Sequence, residues 1–161
     1  MSVGVKLNIL SLFRTVPILS LTNNGRPTSA GHLLTDYLNQ GMDVKCPTCD
    51  TNNHAKLIPE KGKFTLLAIN RRGFTDKDGK AIPKISTRVS DTWSQRHQLL
   101  GDLVSVITHK GSVNTGHWHT YTKTDSGIWY LNSDSKPPVQ INHPLKTKNN
   151  ETAEFLVYKN S

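Results

Sequence analysis

Apolar and polar residues alternate in two neighbouring segments of the second half of the chain, LVSVITH at 103–109 and HWHTYT at 117–122. A period of two is typical of a β-strand that buries one face and exposes the other. The loop that joins the two segments starts at Gly111 and ends at Gly116, and glycine suits a reversal of chain direction. The pattern therefore predicts a β-hairpin.

Further strands are predicted on both sides of this hairpin. Residues 5–21 indicate one or two strands, and the Asn-Asn-Gly run at 23–25 indicates a turn after them. We expect a mainly antiparallel sheet of about five strands. Its other predicted members are FTLLAI at 64–69, GIWYL at 127–131 and EFLVYK at 154–159.

The clearest helix is predicted within GRPTSAGHLLTDYLNQG, at residues 25–41. Thr28 or Ser29 can cap its first turn, Leu33 and Leu34 belong to its apolar face, and Gly41 can end it. One or two helices on such a sheet make an α+β fold. A chain of 161 residues suits one domain, so we expect residues 1–161 to form a single unit.

Composition narrows the class of protein. The chain is 35% hydrophobic and 20% charged, and it contains no uninterrupted apolar run long enough to cross a bilayer. Its first residues lack the pattern of a signal peptide, so we expect a cytoplasmic or nuclear protein without a membrane partner. The net charge of +8 raises nucleic acid as a partner class. The basic residues are scattered over strands and turns, which favours an ordinary solvated surface.

The two cysteines, Cys46 and Cys49, lie in the segment CPTCD. This spacing is typical of half a zinc site or of a redox pair. Pro47 and the polar residues after Cys49 favour a knuckle turn over a redox helix. A zinc site needs four ligands, and His54 is the obvious third ligand in the sequence. Zinc at Cys46 and Cys49 is therefore one hypothesis, and a knuckle without metal is the favoured alternative.

The predicted hairpin carries several imidazoles. Residues two apart on a strand share a face, so His117 and His119 point the same way and Tyr121 lies beyond them. Trp118 points to the opposite face, and His109 lies on the preceding strand.

Three hypotheses account for these histidines. The first is a metal site made by His117, His119 and His109, which would need a carboxylate or another imidazole nearby. The second is a general base oriented by Ser133 and Asp134, which follow the next predicted strand. The third is a half-buried hairpin with structural histidines. The residues alone favour the third hypothesis.

Several short motifs resemble, in order and spacing, those of the ubiquitin-specific proteases, papain-like cysteine isopeptidases built of fingers, palm and thumb. The resemblance covers residues 28–159 and is strongest over the family's catalytic-histidine box. That box corresponds to GDLVSVITHKG at 101–111, GHWHTY at 116–121 and WYLNSDS at 129–135. The neighbouring matches are CPTCD with the last finger knuckle, the segment 54–74 with the strand after it, and AEFLVYK at 153–159 with the last palm strand.

This resemblance implies a fold and a set of roles. Residues 1–50 would form finger-like strands, the helix and the knuckle, and residues 51–161 a palm-like sheet, in a single incomplete domain. His117 corresponds to the general base and Ser133 to the third member of the triad, where Asn or Asp is usual. Asp134 corresponds to the acidic residue that follows. The binding surface is expected around Gly116, Trp118 and Tyr121.

One part of the family's chemistry is missing from this sequence. The nucleophile belongs to a Gly-Asn-x-Cys-Tyr box that the sequence does not contain, and Cys46 and Cys49 correspond to knuckle positions. Without a thiolate His117 has no proton to take, so we expect the chain to be inactive alone. The first hypothesis for its function is a module that binds ubiquitin, a ubiquitin-like protein or another protein.

Two other functions stay open. The chain can be the C-terminal half of an active cysteine-type deubiquitinase whose cysteine lies upstream or on another chain. It can also be a basic accessory of nucleic acid or ribonucleoprotein, an idea motivated by the net charge alone. An incomplete palm exposes apolar surface, so we also expect a partner chain or a dimer.

Overall fold

A computed structural model describes most of the chain. The described residues are 6–7, 18–21, 27–45, 48–55, 58–59, 62–71, 78–80, 83–90, 100–134, 136–144 and 151–161. The turn predicted at 23–25 and most of the strand region predicted at 5–21 lie outside them.

The described residues form one helix and thirteen strands. In chain order these elements are β1 (Lys6–Leu7), β2 (Ile18–Ser20), β3 (Thr28–Ser29), α1 (Ala30–Gln40), β4 (Met42–Lys45), β5 (Asn52–Ala55), β6 (Ile58–Pro59), β7 (Phe64–Asn70), β8 (Val89–Ser90), β9 (Asp102–Gly111), β10 (Gly116–Lys123), β11 (Trp129–Ser133), β12 (Lys136–Ile141) and β13 (Glu151–Lys159).

The main sheet has seven strands in the order β12-β11-β10-β9-β13-β7-β2. Its pairs are antiparallel except for β2, which runs parallel to β7. The α+β prediction is confirmed, and so are the strands predicted by alternation. The sheet has two strands more than the expected five, because β2 joins one edge of it and because β12, at the other edge, was not foreseen. This strand carries Pro137 and Pro138, which cannot donate to a ladder and are tolerated at a sheet edge.

The core lies on one face of this sheet. Leu156 of β13 pairs with Leu67 of β7 on one side and with Val106 of β9 on the other, and all three are fully buried. Val106 in turn pairs with Tyr121 of β10, which is also buried. This row of apolar side chains crosses four neighbouring strands, so it fixes their register: a slip by one residue would turn each side chain to the other face.

Helix α1 has the predicted ends. The Ser29 hydroxyl accepts a hydrogen bond from the backbone N–H of His32 at 3.1 Å, which caps the first turn. Gly41 follows the helix with a φ of 61°, a conformation that favours glycine. The buried Leu33 and Leu34 belong to the same core as the sheet.

A buried arginine fastens the segment 83–88 to the sheet. The Arg71 guanidinium donates from Nε to the carbonyl of Ala153 at 2.6 Å, and from Nη1 to the carbonyls of Ile85 at 2.9 Å and Thr87 at 2.7 Å. Burial lowers the pKa of Arg71 to about 10, and the nearby negative charge of Glu154 opposes that shift. Because three carbonyls accept from one rigid side chain, this segment is held against the start of β13.

Within the described part of the chain, no helix has the length and apolar character needed to span a membrane.

The two faces of β7 provide a test of the core. We expect Leu67→Ala to lower the free energy of unfolding by about 3 kcal/mol, because it removes a fully buried side chain and leaves a cavity. The matched control is Leu66→Ala, the same change at a half-buried neighbour on the opposite face, with an expected cost of about 1 kcal/mol or less. Urea denaturation measures both. Equal costs would contradict the assignment of the buried face.

Candidate active site

His117 and Ser133 lie on the same face of two paired strands. Tyr121 of β10 pairs with Leu131 of β11, His117 is four residues before Tyr121, and Ser133 is two residues after Leu131. Residues an even number of positions apart along a strand share a face. The local backbone therefore brings the imidazole and the hydroxyl, sixteen residues apart in sequence, together at one end of the β10–β11 pair.

Asp134 reaches the same imidazole through a local irregularity. The ladder between β11 and β12 shifts register between Leu131 and Ser133, and Asp134 then adopts a positive φ of 45°. Aspartate tolerates this left-handed conformation better than most residues. As a result two successive side chains meet one nitrogen: His117 Nε2 lies 3.1 Å from the Ser133 hydroxyl and 3.0 Å from the Asp134 carboxylate.

These contacts determine where the His117 proton sits. An ionised carboxylate can only accept, so the contact with Asp134 requires the hydrogen on Nε2. In the neutral ring Nδ1 is then unprotonated and available as a base. His117 is 46% exposed and Asp134 is 69% exposed, so water screens the attraction between them. The contact orients the ring more than it stabilises the fold.

A second, buried cluster lies directly beside His117. Glu151 of β13 accepts hydrogen bonds on its Oε1 from His119 Nδ1 at 2.9 Å, from the Tyr121 hydroxyl at 2.8 Å and from the Thr108 hydroxyl. Burial by itself raises the pKa of Glu151, but the hydrogen bonds from Thr108, His119 and Tyr121 outweigh it and leave that pKa below its usual value. Burial and the same carboxylate raise the pKa of Tyr121 well above the ordinary tyrosine range. Glu151 is therefore an anion at neutral pH.

The opposite face of β10 carries Trp118. Its ring packs on His109 with centroids 4.6 Å apart, and it remains 42% exposed. His109 is buried, and its Nδ1 lies 2.8 Å from the Lys84 ammonium, which also donates to Glu154 at 3.0 Å. Because an ammonium can only donate, His109 Nδ1 is the acceptor. His109 thus supports Trp118 and does not face His117.

Gly116 is a glycine for steric reasons. A Cβ at this position would lie 2.4 Å from the Lys110 carbonyl oxygen and 2.4 Å from His109 Nε2. Tyr121, named with Gly116 and Trp118 as a binding residue, is 3% exposed and donates its hydroxyl hydrogen to Glu151. The binding role of these three residues stays a prediction.

The structure gives the metal hypotheses no support. Within the described ranges no group of three His, Cys, Asp or Glu side chains could hold a metal ion. Cys49 is exposed in the turn between β4 and β5, and Cys46 lies outside the described residues. The suggested third ligand, His54, directs Nδ1 to the Asp43 carboxylate at 3.1 Å. Zinc at Cys46 and Cys49 stays a prediction.

Sequence reasoning missed Glu151, Lys84 and Glu154. The metal hypothesis required a carboxylate or another imidazole near the histidines, and the sequence shows none at a regular spacing from them. The structure supplies Glu151 from β13, thirty-two residues after His119, because β13 pairs with β9. No local sequence pattern predicts that Glu151 binds His119, because their proximity depends on the strand order of the whole sheet.

Comparison with known proteins identifies the family. The sequence model described as ubiquitin carboxyl-terminal hydrolase matches residues 33–158, the greater part of the chain. The chain belongs to the ubiquitin carboxyl-terminal hydrolase family. The resemblance to ubiquitin-specific proteases noted in the sequence is thereby confirmed. No curated protein sequence matches the chain.

Solved structures share the fold. A chain of the SAGA Ubp8/Sgf11/Sus1/Sgf73 DUB module bound to ubiquitin aldehyde matches with a TM-score of 0.54 at 16% identity, over 88% of this chain and 34% of that chain. The SAGA DUB module bound to monoubiquitin gives 0.54 at 19% identity, with 88% and 34% covered. A yeast SAGA DUB module gives 0.53 at 17% identity, with the same coverage. The present chain spans about a third of the length of the chains it matches.

The Glu151 cluster predicts a specific dependence of stability on pH. Since the folded-state pKa of Glu151 is lowered, its contribution is complete above the unfolded value and disappears as pH falls through the folded value. We expect Glu151→Gln to cost about 1–3 kcal/mol above roughly pH 5, with a cost that shrinks at lower pH. Urea denaturation at a series of pH values measures the gap.

Asp125→Asn is the matched control for that series. Its carboxylate is fully exposed and lies 3.6 Å from Lys159, so the change should leave the pH dependence as in the wild type. A Glu151→Gln cost that stays constant down to pH 3 would contradict the ionised, hydrogen-bonded state of Glu151.

Proposed function

We propose that this chain binds ubiquitin or a ubiquitin-like protein and does not hydrolyse it by itself. The proposal is carried by the geometry of His117, whose Nε2 contacts both Ser133 and Asp134 and whose Nδ1 is left for a partner. Family membership and the fold shared with modules that hold ubiquitin aldehyde or monoubiquitin support the choice of ligand. The exposed Trp118, next to His117 in β10, offers a rigid aromatic surface for contact.

The inactivity of the chain alone follows from its cysteines. Cysteine isopeptidases attack with a thiolate, and the sequence holds Cys46 and Cys49 only. Cys49 lies between β4 and β5, which form a two-stranded sheet separate from the one that carries His117. The described cysteine thus belongs to a different sheet from His117, and we expect no thiol of this chain to give its proton to this imidazole.

A second candidate function is the histidine-bearing half of an active cysteine-type deubiquitinase. The orientation of His117 is compatible with it as well, because a general base needs a defined tautomer with one nitrogen left to accept a proton. A cysteine from an upstream segment or from another chain would give its proton to Nδ1, and its thiolate would attack the carbonyl carbon of the C-terminal glycine of ubiquitin. The departing amine would take the proton from His117, and water would then cleave the thioester.

Partner chains belong to the same proposal. Ile18, Phe64 and Val139 are large apolar side chains that stay mostly exposed, but they lie on β2, β7 and β12 and no contiguous patch joins them in the described residues. Support for a partner chain comes from the matched structures, which are modules of several protein chains. We expect a second protein chain or a dimer, in the cytoplasm or the nucleus. No described arrangement of basic residues favours the nucleic-acid alternative over these two functions.

Ubiquitin binding is tested by calorimetry with ubiquitin and with ubiquitin-like proteins. We expect binding without turnover, and Trp118→Ala should weaken it by about tenfold, equivalent to about 1.4 kcal/mol. Ile128→Ala is the matched control, because it also truncates an exposed apolar side chain, outside the GHW motif. Absence of binding to every ubiquitin-like protein would overturn the first proposal.

An electrophilic ubiquitin probe separates the two candidates. The chain alone should form no adduct and should not cleave a fluorogenic ubiquitin substrate. If a cysteine-bearing partner restores cleavage, His117→Ala should lower the rate by about 10²–10⁴-fold. An adduct on Cys46 or Cys49 would show that the assignment of these residues to a knuckle is wrong.

A further inference from the structure

The structure assigns His119 and Glu151 a role as positioning residues for His117. Glu151 fixes the ring of His119, and that ring holds the imidazole of His117 in the orientation that leaves Nδ1 available. The inference rests on the proposed function for its consequence, since the orientation matters because His117 faces the ligand or the nucleophile.

The first step is the rigidity of Glu151. Three donors converge on its Oε1, one from β9 and two from β10, while the carboxylate itself comes from β13. Its side chain is almost completely buried, at 8% exposure. A buried anion with three donors from two other strands has few alternative positions, because moving away from them would leave a buried charge with fewer hydrogen bonds.

The second step is the tautomer of His119. The ionised Glu151 can only accept, so the 2.9 Å contact requires the hydrogen on His119 Nδ1. This is the opposite assignment to His117, whose hydrogen lies on Nε2. One strand thus holds two imidazoles of opposite tautomer, two residues apart, each selected by a carboxylate of a different strand or turn.

The third step is the contact between the rings. The His117 and His119 ring centroids lie 4.8 Å apart at an interplanar angle of 72°, an edge-to-face arrangement that aromatic rings prefer. His119 is 17% exposed, far less than His117. The fixed and largely buried ring therefore restrains the exposed one.

This restraint is needed because the other support of His117 is weak. Ser133 and Asp134 bind Nε2 at the surface, where water competes for the same hydrogen bond. A ring held only there can rotate about χ1 and χ2, whereas contact with His119 blocks one side of that rotation. The two supports act on different parts of the imidazole, one on a nitrogen and one on the ring face or edge.

Nuclear magnetic resonance of the free chain tests the inference directly. The ¹⁵N shifts of both imidazoles report which nitrogen carries the hydrogen, and cross-relaxation between ring protons reports the edge-to-face contact. We expect Nδ1–H for His119 and Nε2–H for His117 in the wild type. Finding Nε2–H as the main form of His119 would overturn the proposal.

Two matched pairs of variants separate positioning from a general structural effect. Glu151→Ala removes the acceptor, and we expect the Nε2–H fraction of His117 to fall by about half, whereas Glu151→Gln keeps an acceptor oxygen and should preserve it. His119→Ala and His119→Phe both lose the bond to Glu151, but Phe keeps a ring edge, so the His117 signature should survive in His119→Phe only. Should Glu151→Ala fail to fold, the His119 pair decides.

Different results would contradict this inference and the proposed function. Equal His117 spectra in His119→Ala and His119→Phe would overturn the positioning role, whatever the chain binds. Failure of ubiquitin to bind, with the expected His117 spectra in all variants, would overturn the proposed function and leave the geometry of the two histidines in place.

Discussion

The pairing of β13 with β9 is the interaction on which the rest of the structure depends. It joins the last described strand to the first strand of the central hairpin, and it inserts β13 between β9 and β7. The apolar row through Leu156 makes this insertion stable, and the same pairing delivers two carboxylates to the hairpin. The register shifts between Ala153 and Phe155, so Glu154 lies at an irregularity of the ladder and not at a paired position. Without this strand the hairpin would lose both its apolar packing against Leu156 and the buried carboxylates on its two faces.

Each face of the hairpin has its own buried charge. On one face Glu151 binds hydroxyls and the His119 imidazole, and on the other Lys84 and Glu154 form an ion pair that contacts His109. Burying ions is costly unless each one is paired and hydrogen bonded, so these groups are weak evidence for stability. One cluster includes His119, whose ring contacts His117, and the other includes His109, whose ring contacts Trp118. The two exposed side chains that are candidates for function are thus each supported by a buried ionic group.

In the candidate site, Ser133 and Asp134 orient the imidazole of His117, and the described cysteine, Cys49, lies in the turn of a different sheet. His117 has features that a general base needs, namely a tautomer defined by its contacts and, in the neutral ring, a hydrogen-free Nδ1. These features are compatible with both functions proposed above, because an oriented imidazole can accept a hydrogen bond from a ligand or a proton from a nucleophile. The difference between the two functions lies in what approaches Nδ1, and not in this chain.

Local sequence patterns predicted much of the fold. Alternation predicted β9 and β10, the composition of 64–69 predicted β7, and Ser29 and Gly41 marked the ends of α1, because each of these features depends on residues close together in the sequence. The proximity of His117 and Ser133 could also be predicted, because strands joined by a short turn are usually neighbours in a sheet. The edge strand β12 was missed because its prolines are poor indicators of strand structure.

The side chains that surround the histidines could be predicted from the sequence only in part. The sequence by itself determined that His117 and His119 share a face, that Trp118 opposes them and that a hairpin carries all three. Only the tertiary structure decided that Glu151 binds His119 and that Asp134 contacts the imidazole of His117. The same holds for the ion pair of Lys84 and Glu154, whose ammonium contacts His109. The physical reason is the distance in sequence over which each feature is determined. Side-chain direction along a strand follows from the backbone geometry of neighbouring residues. The partner of a buried ion depends on strand order, bulges and register across the whole sheet.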